Sequence, residues 1–250
     1  MTSTWTLVLP EELYDRLYRH LFPGDAQEHG AVITAGVAQG PRGARLLARE
    51  MIPAREGIDY VPGTRGHRML TTDFIRQQVQ HCRDQRLAYL AVHNHCGTTT
   101  VAFSPTDLES HQRGYPALRD LTRGQVVGGL VFAEEAVAGD LWLPDGSRAD
   151  LAATRIVGRR LRILHQAPPP LPPGADPAYN RQALLFGDRG QALLATLKVG
   201  VIGAGGAGSL LLQWLAHLGV GHLVAVDPDR LETPNLPRVV APPAGTPTRG

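Results

Sequence analysis

Residues 198–229, KVGVIGAGGAGSLLLQWLAHLGVGHLVAVDPD, decide the fold of the second half of the chain. A short apolar run turns through Gly203, Gly205 and Gly208 into a helix-like segment, and a second apolar run ends at Asp227. Strand, glycine turn, helix and strand make one β-α-β unit, in which glycines allow a tight turn and a close approach of backbone to phosphate. Amides at the helix N-terminus then face an anion, and the acid after the second strand holds a ribose. The spacing predicts a nucleotide or dinucleotide site and does not by itself separate NAD from ATP. Before it, NRQALLFGDRGQALLATL at 180–197 reads as a helix.

Upstream, APPPLPPGADP at 167–177 is too rich in proline for a helix or a central strand and reads as an extended spacer. It sets the expected organisation: a first domain over 1–165, a linker over 166–177 and a second domain over 178–250. In the first domain EELYDRLYRHLF carries Leu13, Leu17 and Leu21 at helical spacing. GAVITAGVA and ARLLAREMIPA read as neighbouring strands, and DFIRQQVQHCRDQR as a helix capped by Thr72. LAYLAV and QVVGGLVF read as strands, DLESHQRG as a helix, and DLWLPDGSRA as a hairpin around Asp145 and Gly146.

LAVHNHCGTTTVAFSPTD, residues 90–107, carries the chemistry of this first domain. In extended chain, side chains two apart share a face, so His93 and His95 converge while Asn94 points away. Two neutral imidazoles suit zinc, which in catalytic sites takes three protein ligands and keeps one position for water. Asp107 is the candidate third ligand. The same SPTD also reads as a plain helix start, with Ser104 as N-cap and Pro105 in the first turn. Cys96 as a fourth ligand, and His29 and His111 as alternative ligands, remain open on spacing alone. His-Glu-x-x-His and the His-x-Glu with Pro-Cys-x-x-Cys pattern are both absent.

Glu28, the His93–His95 pair, Ser104 and Asp107, in that order, resemble the JAB/JAMM metalloprotease family over about residues 1–160. The departures are Asn94 between the histidines and Cys96 after them. The resemblance implies a JAB/MPN-type mixed sheet flanked by helices, zinc on His93, His95 and Asp107, Glu28 as general acid/base and Ser104 as oxyanion donor. Residues 178–240, from NRQALLFGDRGQALL to DPDRLETPNLPR, resemble the ThiF/MoeB-type activating enzymes, relatives of the ubiquitin-activating enzymes. That resemblance implies ATP with Mg2+ on Gly203, Gly205, Gly206 and Gly208, ribose on Asp227, and phosphate contacts from Asn235 and Arg238. Arg181 would be donated across a homodimer. Beyond Arg238 the further strands, magnesium-binding acid and acceptor thiol of such a domain cannot be placed, so the chain alone is expected not to turn over ATP.

The fold class expected is therefore α/β: a mixed sheet domain followed by a partial Rossmann-like unit. With 25 Lys and Arg against 23 Asp and Glu, and no basic block, nucleic acid is excluded as the main partner. No apolar stretch is long enough for a bilayer span, the N-terminus lacks a signal pattern, and the two cysteines build no disulfide framework. These features predict a cytoplasmic protein. The leading expected function is a zinc isopeptidase acting on the tail of a ubiquitin-like or sulfur-carrier protein. The alternatives are an adenylyltransferase of such a carrier, active only in a longer chain, and a non-catalytic binding module.

Overall fold

The computed structural model describes residues 4–25, 27–41, 43–62, 68–168, 170 and 176–240. The chain divides into two compact units, Met1–Pro168 and Pro169–Gly250. Most of the proline-rich stretch, residues 169 and 171–175, and the tail 241–250 lie outside the described residues.

The first unit runs β1 (Trp5–Pro10), α1 (Glu11–Leu21), β2 (Gly30–Gly40), β3 (Gly43–Pro53), α2 (Thr72–Gln85), β4 (Ala88–Asn94), α3 (Pro105–Leu121), β5 (Val127–Phe132), β6 (Val137–Trp142), β7 (Arg148–Val157) and β8 (Arg162–Leu164). Its strands follow the order β1-β3-β2-β4-β5-β6-β7-β8, and an added β1–β7 pairing joins the first seven into a barrel-like ring. Strand β1 runs parallel to both its neighbours, with Trp5 to Val8 opposite Ala44 to Leu47 and Thr6 to Pro10 opposite Ala153 to Val157. This closed mixed sheet agrees with the α/β class.

Helix α1 is amphipathic: Leu13, Tyr14, Leu17 and Leu21 are buried, with acids in the first turn and Arg19 and His20 in the last, as the helix dipole favours. Each fully buried leucine contributes about 2 kcal/mol of transfer free energy. Its apolar face joins Leu7, Leu9, Ile33, Leu46, Leu90 and Leu130 in the larger core. A second core, with Val32, Phe74, Val79, Tyr89, Tyr115 and Val127, seats α2 and α3.

Two boundaries differ from the sequence reading. Thr71, not Thr72, caps α2: its backbone is extended and its side chain accepts the Phe74 N–H at 3.3 Å. Helix α3 runs past Gly114 and Pro116 to Leu121, because buried Tyr115 and the partly buried Leu118 extend its apolar contact with the second core.

In the second unit a 3-10 turn (Pro177–Tyr179) leads into α4 (Asn180–Thr196), β9 (Lys198–Ile202), α5 (Gly206–His217), β10 (His222–Val226) and a 3-10 turn (Thr233–Asn235). Strands β9 and β10 are parallel, with Lys198 to Ile202 opposite His222 to Val226. The helix expected over 180–197 is in fact two pieces, because Gly187 takes φ 71° and ψ 162° and breaks it. No helix among the described residues is long and apolar enough to cross a membrane.

Candidate functional site

In the first unit, β4 delivers His93 and the turn after it delivers His95. Their Nε2 atoms lie 3.2 Å apart. His95 Nε2 is 3.4 Å from Asp107 Oδ2, and His93 Nε2 is 3.6 Å from Asp107 Oδ1. Four ligands at about 2.0–2.1 Å around a tetrahedral ion stand about 3.3 Å from one another. The three separations are close to that edge length, with the two carboxylate oxygens of Asp107 each facing one imidazole. His95 Nδ1 lies 3.0 Å from the Ala102 carbonyl, so that nitrogen carries the proton and leaves Nε2 as a lone-pair donor. Among the described residues, His93, His95 and Asp107 are the one group of three able to hold a metal ion.

Asp107 is aimed by its own helix start. Ser104 Oγ donates to Asp107 Oδ2 at 2.7 Å, the Ser104 N–H donates to the same oxygen at 2.8 Å, and the Asp107 N–H donates back to Ser104 Oγ at 3.2 Å. This is a full capping box, so the helix cap and the carboxylate that faces the two histidines are one structure. Burial raises the Asp107 carboxyl pKa, but nearby His93 and the Ser104 hydroxyl outweigh it and hold the group well below the usual carboxylate range.

Glu28 precedes β2 and places Oε1 3.6 Å from His95 Nε2. The clamp that holds it there was not legible in the sequence. The buried Asn94 accepts the His29 N–H on Oδ1 at 2.6 Å, Tyr60 Oη accepts the Gly30 N–H at 2.8 Å, and His20 Nε2 donates to the Gly30 carbonyl at 2.8 Å. Asn94 thus points away from the histidines, as alternation requires, and ties β4 to the segment carrying Glu28. His29 turns to Asp25 at 2.8 Å and His111 to Asp140 at 2.8 Å, so neither joins the triad. Cys96 is exposed. A cleft of about 280 Å³ beside the triad is lined by Glu28, Arg68, Leu70, Val92, His93 and Asp107, among others.

In the second unit the glycine turn joins β9 to α5. A Cβ on Gly208 would stand 1.7 Å from the Gly203 carbonyl oxygen, so the turn closes onto the helix only with glycine there. Helix α5 starts after Gly205 with no side chain capping its first turn, which leaves amides for an anion. Asp227 accepts the Ala204 N–H at 2.6 Å and the Asp229 N–H at 2.9 Å, and these amides, Asp229 first, hold its carboxyl below the usual range. The Val240 N–H donates to Ser209 Oγ at 3.0 Å and brings the following segment onto α5. Ala204, Gly205, Asp227, Asn235 and Arg238 consequently line one cavity of about 150 Å³. Gly206 meets the Arg238 backbone, while Arg181 is exposed on α4 and is not among the residues lining the cavity.

A β-α-β unit with a glycine turn, an uncapped helix start and an acid just after the second strand has the layout of a Rossmann-like unit. Residues 179–243 match the model of the ThiF family. An adenylyltransferase and sulfurtransferase of Mus musculus, MOCS3, is 48% identical over 87 residues, 32% of this chain and 19% of its own. The SAMP-activating enzyme E1 of Haloferax volcanii is 45% identical over 64 residues, 25% of this chain and 24% of its own. The sulfur carrier protein adenylyltransferase of Thermus thermophilus is likewise 45% identical over 64 residues, with 25% and 24% covered. The chain thus spans about a quarter or less of the length of these relatives. The solution structure of a Desulfitobacterium hafniense protein overlaps 61% of this chain and 95% of its own at TM-score 0.36 and 12% identity, a likeness too weak to carry an argument.

These matches correct the leading expectation from sequence. The relatives are named as adenylyltransferases, sulfurtransferases and an activating enzyme and not as metallopeptidases, so a JAMM-type zinc metallopeptidase is not supported. The physical reason is that His93, His95 and Asp107 form a group able to hold a metal ion, which does not specify a reaction. The ThiF half of the resemblance stands for residues 179–243.

Proposed function

We propose that this chain carries the nucleotide-binding part of an ATP-dependent adenylyltransferase for a ubiquitin-like or sulfur-carrier protein, joined to a metal-binding domain. The observation that carries this reading is the convergence of the glycine turn, Asp227, Asn235 and Arg238 on one cavity within the ThiF-matched residues. Amides of Gly205, Gly206 and Gly208 at the start of α5 would take the phosphates, with Gly203, whose own N–H donates to the Val226 carbonyl at 2.8 Å, turning the chain toward them, Arg238 adding a charged donor and Asn235 a neutral one. Asp227 would take the ribose hydroxyls once it releases the Ala204 amide, and Arg181 would act in a partner's site. ATP with Mg2+ would supply the adenylyl group: the carrier's terminal carboxylate would take it from the α-phosphorus with release of pyrophosphate, and so become electrophilic. In the first domain His93, His95 and Asp107 would hold zinc, with Ser104 orienting Asp107 and Glu28 adding negative charge beside it.

Titration with a fluorescent ATP analogue tests the nucleotide reading. Saturable binding that NAD does not displace, weakened about tenfold or more in Arg238→Ala, is expected for a lost charge-assisted phosphate contact. Binding of NAD in preference to ATP, or no saturable binding, refutes it. For the metal, about one zinc per purified chain, lost in His95→Ala, is the expected outcome of elemental analysis.

A further inference from the structure

Behind the metal triad lies a buried ionic chain with no part in the ligand set. His111 sits one turn after Asp107 on α3 and donates from Nδ1 to Asp140 Oδ2 on β6 at 2.8 Å. Arg148, at the start of β7, donates Nε to Asp140 Oδ1 at 3.1 Å and Nη2 to Oδ2 at 2.8 Å. The His111 and Asp140 side chains are only 7% and 5% exposed. Burial raises the Asp140 carboxyl pKa, yet His111 and Arg148 outweigh it and keep the group below the usual carboxylate range. The imidazole stacks on Tyr115, centroids 4.3 Å apart, and meets the edge of Phe103 at 4.9 Å. Phe103 in turn stands 6.2 Å from the His93 ring.

The sheet leaves room for this ring. A Cβ on Gly129, opposite Asp140 on β5, would come within 2.6 Å of His111 Cε1 and 2.7 Å of Nε2. Val32, Phe74, Val79, Tyr89, Tyr115 and Val127 build the core on this face, and an apolar side chain in place of a buried ion group is commonly neutral or stabilising. A buried ionic chain is therefore poorly explained by stability. What it supplies is direction: an aligned hydrogen bond from one face of a helix fixes its rotation and its axial position. Side-chain atoms stand about 5 Å from a helix axis, so a rotation of about 10° moves them by about 0.9 Å. Metal–ligand distances tolerate about 0.2 Å. Helix α3 carries Asp107 in its first turn and His111 in its second, so the rotation fixed at His111 is the rotation seen by Asp107.

We propose that His111 and Asp140, with Arg148 behind them, are positioning residues that set the rotation of α3 and thereby place the Asp107 carboxylate against His93 and His95. This rests on the reading of His93, His95 and Asp107 as a metal centre. The test is metal binding by the full 250-residue chain, with zinc affinity from competition against a chromogenic chelator and with the visible spectrum of the cobalt(II) form. His111→Phe keeps the aromatic stacking and removes the hydrogen bond. Asp140→Asn keeps the shape and removes the charge. His111→Leu also removes the hydrogen bond, should the phenylalanine variant fail to fold. Val79→Ala, in the core between α2 and the sheet, supplies a destabilised control. The expected result is a 10- to 100-fold loss of zinc affinity, the size typical of lost outer-shell partners, and an altered cobalt spectrum in the His111 and Asp140 variants. The Val79 control is expected to melt earlier and keep both wild-type readouts. Wild-type affinity and spectrum in folded His111→Phe or His111→Leu overturn the positioning role alone. No metal bound by the wild-type chain overturns the metal centre and the positioning role together.

Discussion

Alanine at Gly208 tests the nucleotide loop most directly, because the structure supplies its own controls. The new Cβ would stand 1.7 Å from the Gly203 carbonyl oxygen and 2.8 Å from its carbon, both backbone atoms that cannot swing aside. Reaching the shortest contact that real Cβ atoms tolerate requires the turn and α5 to part by at least 1.3 Å. Overpacking of this kind costs about 1–3 kcal/mol. Where the cost falls on the conformation that receives phosphate, affinity drops by roughly 5- to 150-fold. A Cβ on Gly221 would stand 1.8 Å from the Ala195 carbonyl oxygen, at the far end of the unit from the loop, so Gly221→Ala should lower stability by a similar amount and spare affinity. Gly200, in β9, has nothing within 4 Å, so Gly200→Ala should change neither. Fluorescent ATP titrations run beside thermal melts separate the three outcomes. Wild-type ATP affinity in folded Gly208→Ala would refute the assignment of the turn as the phosphate loop. An equal affinity loss in Gly221→Ala would reduce it to a general packing effect.

Three other outcomes follow from local chemistry. Cys82 is buried and its thiol is pushed up to about 12 by burial, while Cys96 is exposed. A thiol reagent should accordingly label one cysteine per native chain and two after unfolding, and fast labelling of two native thiols would contradict the fold around α2. Thr71→Ala should cost about 1 kcal/mol as a lost helix cap and Thr72→Ala much less, measured by denaturant melts. Asp140 has a lowered folded-state pKa, so its stabilisation is complete above its unfolded pKa, about 4, and fades as pH falls through the folded value. Asp140→Asn should flatten that part of the acid stability profile, and an unchanged slope below pH 4 would contradict the burial of this ion group.

Local signals carried the sequence reading where the chemistry is local. The β9–α5–β10 unit was legible because its glycines, apolar runs and terminal acid lie within 32 consecutive residues. His93 and His95 were legible because strand alternation alone puts them on one face. What failed depends on distant partners. No local signal marks Trp5–Pro10 as a strand, although Trp5, Leu7 and Leu9 are buried in alternation, because its partners begin at Ala44 and Leu151. Helix α3 was read too short, since Gly114 and Pro116 are local stop signals that Tyr115 overrides by packing on the second core. The chain from His111 through Asp140 to Arg148 spans α3, β6 and β7, and no spacing rule joins three such elements. The error about activity had another source. A ligand pattern specifies which ion can bind, and a family resemblance was needed to turn it into a reaction.

The parallel pairing of β1 with β7 gives the first unit an unusual order of assembly. Residues 5–8 find one partner in β3 within the next 40 or so residues, but their other edge waits for residues 151–157. At a synthesis rate of about 5–20 residues per second, that edge stands open for roughly 7–30 s as the chain emerges. During that interval the nascent chain presents an unpaired apolar edge, the kind of surface on which chaperones act. Ring closure is therefore a late, non-local event in the birth of this domain, and His93, His95 and Asp107, all made earlier, come off the ribosome before the sheet behind them is sealed.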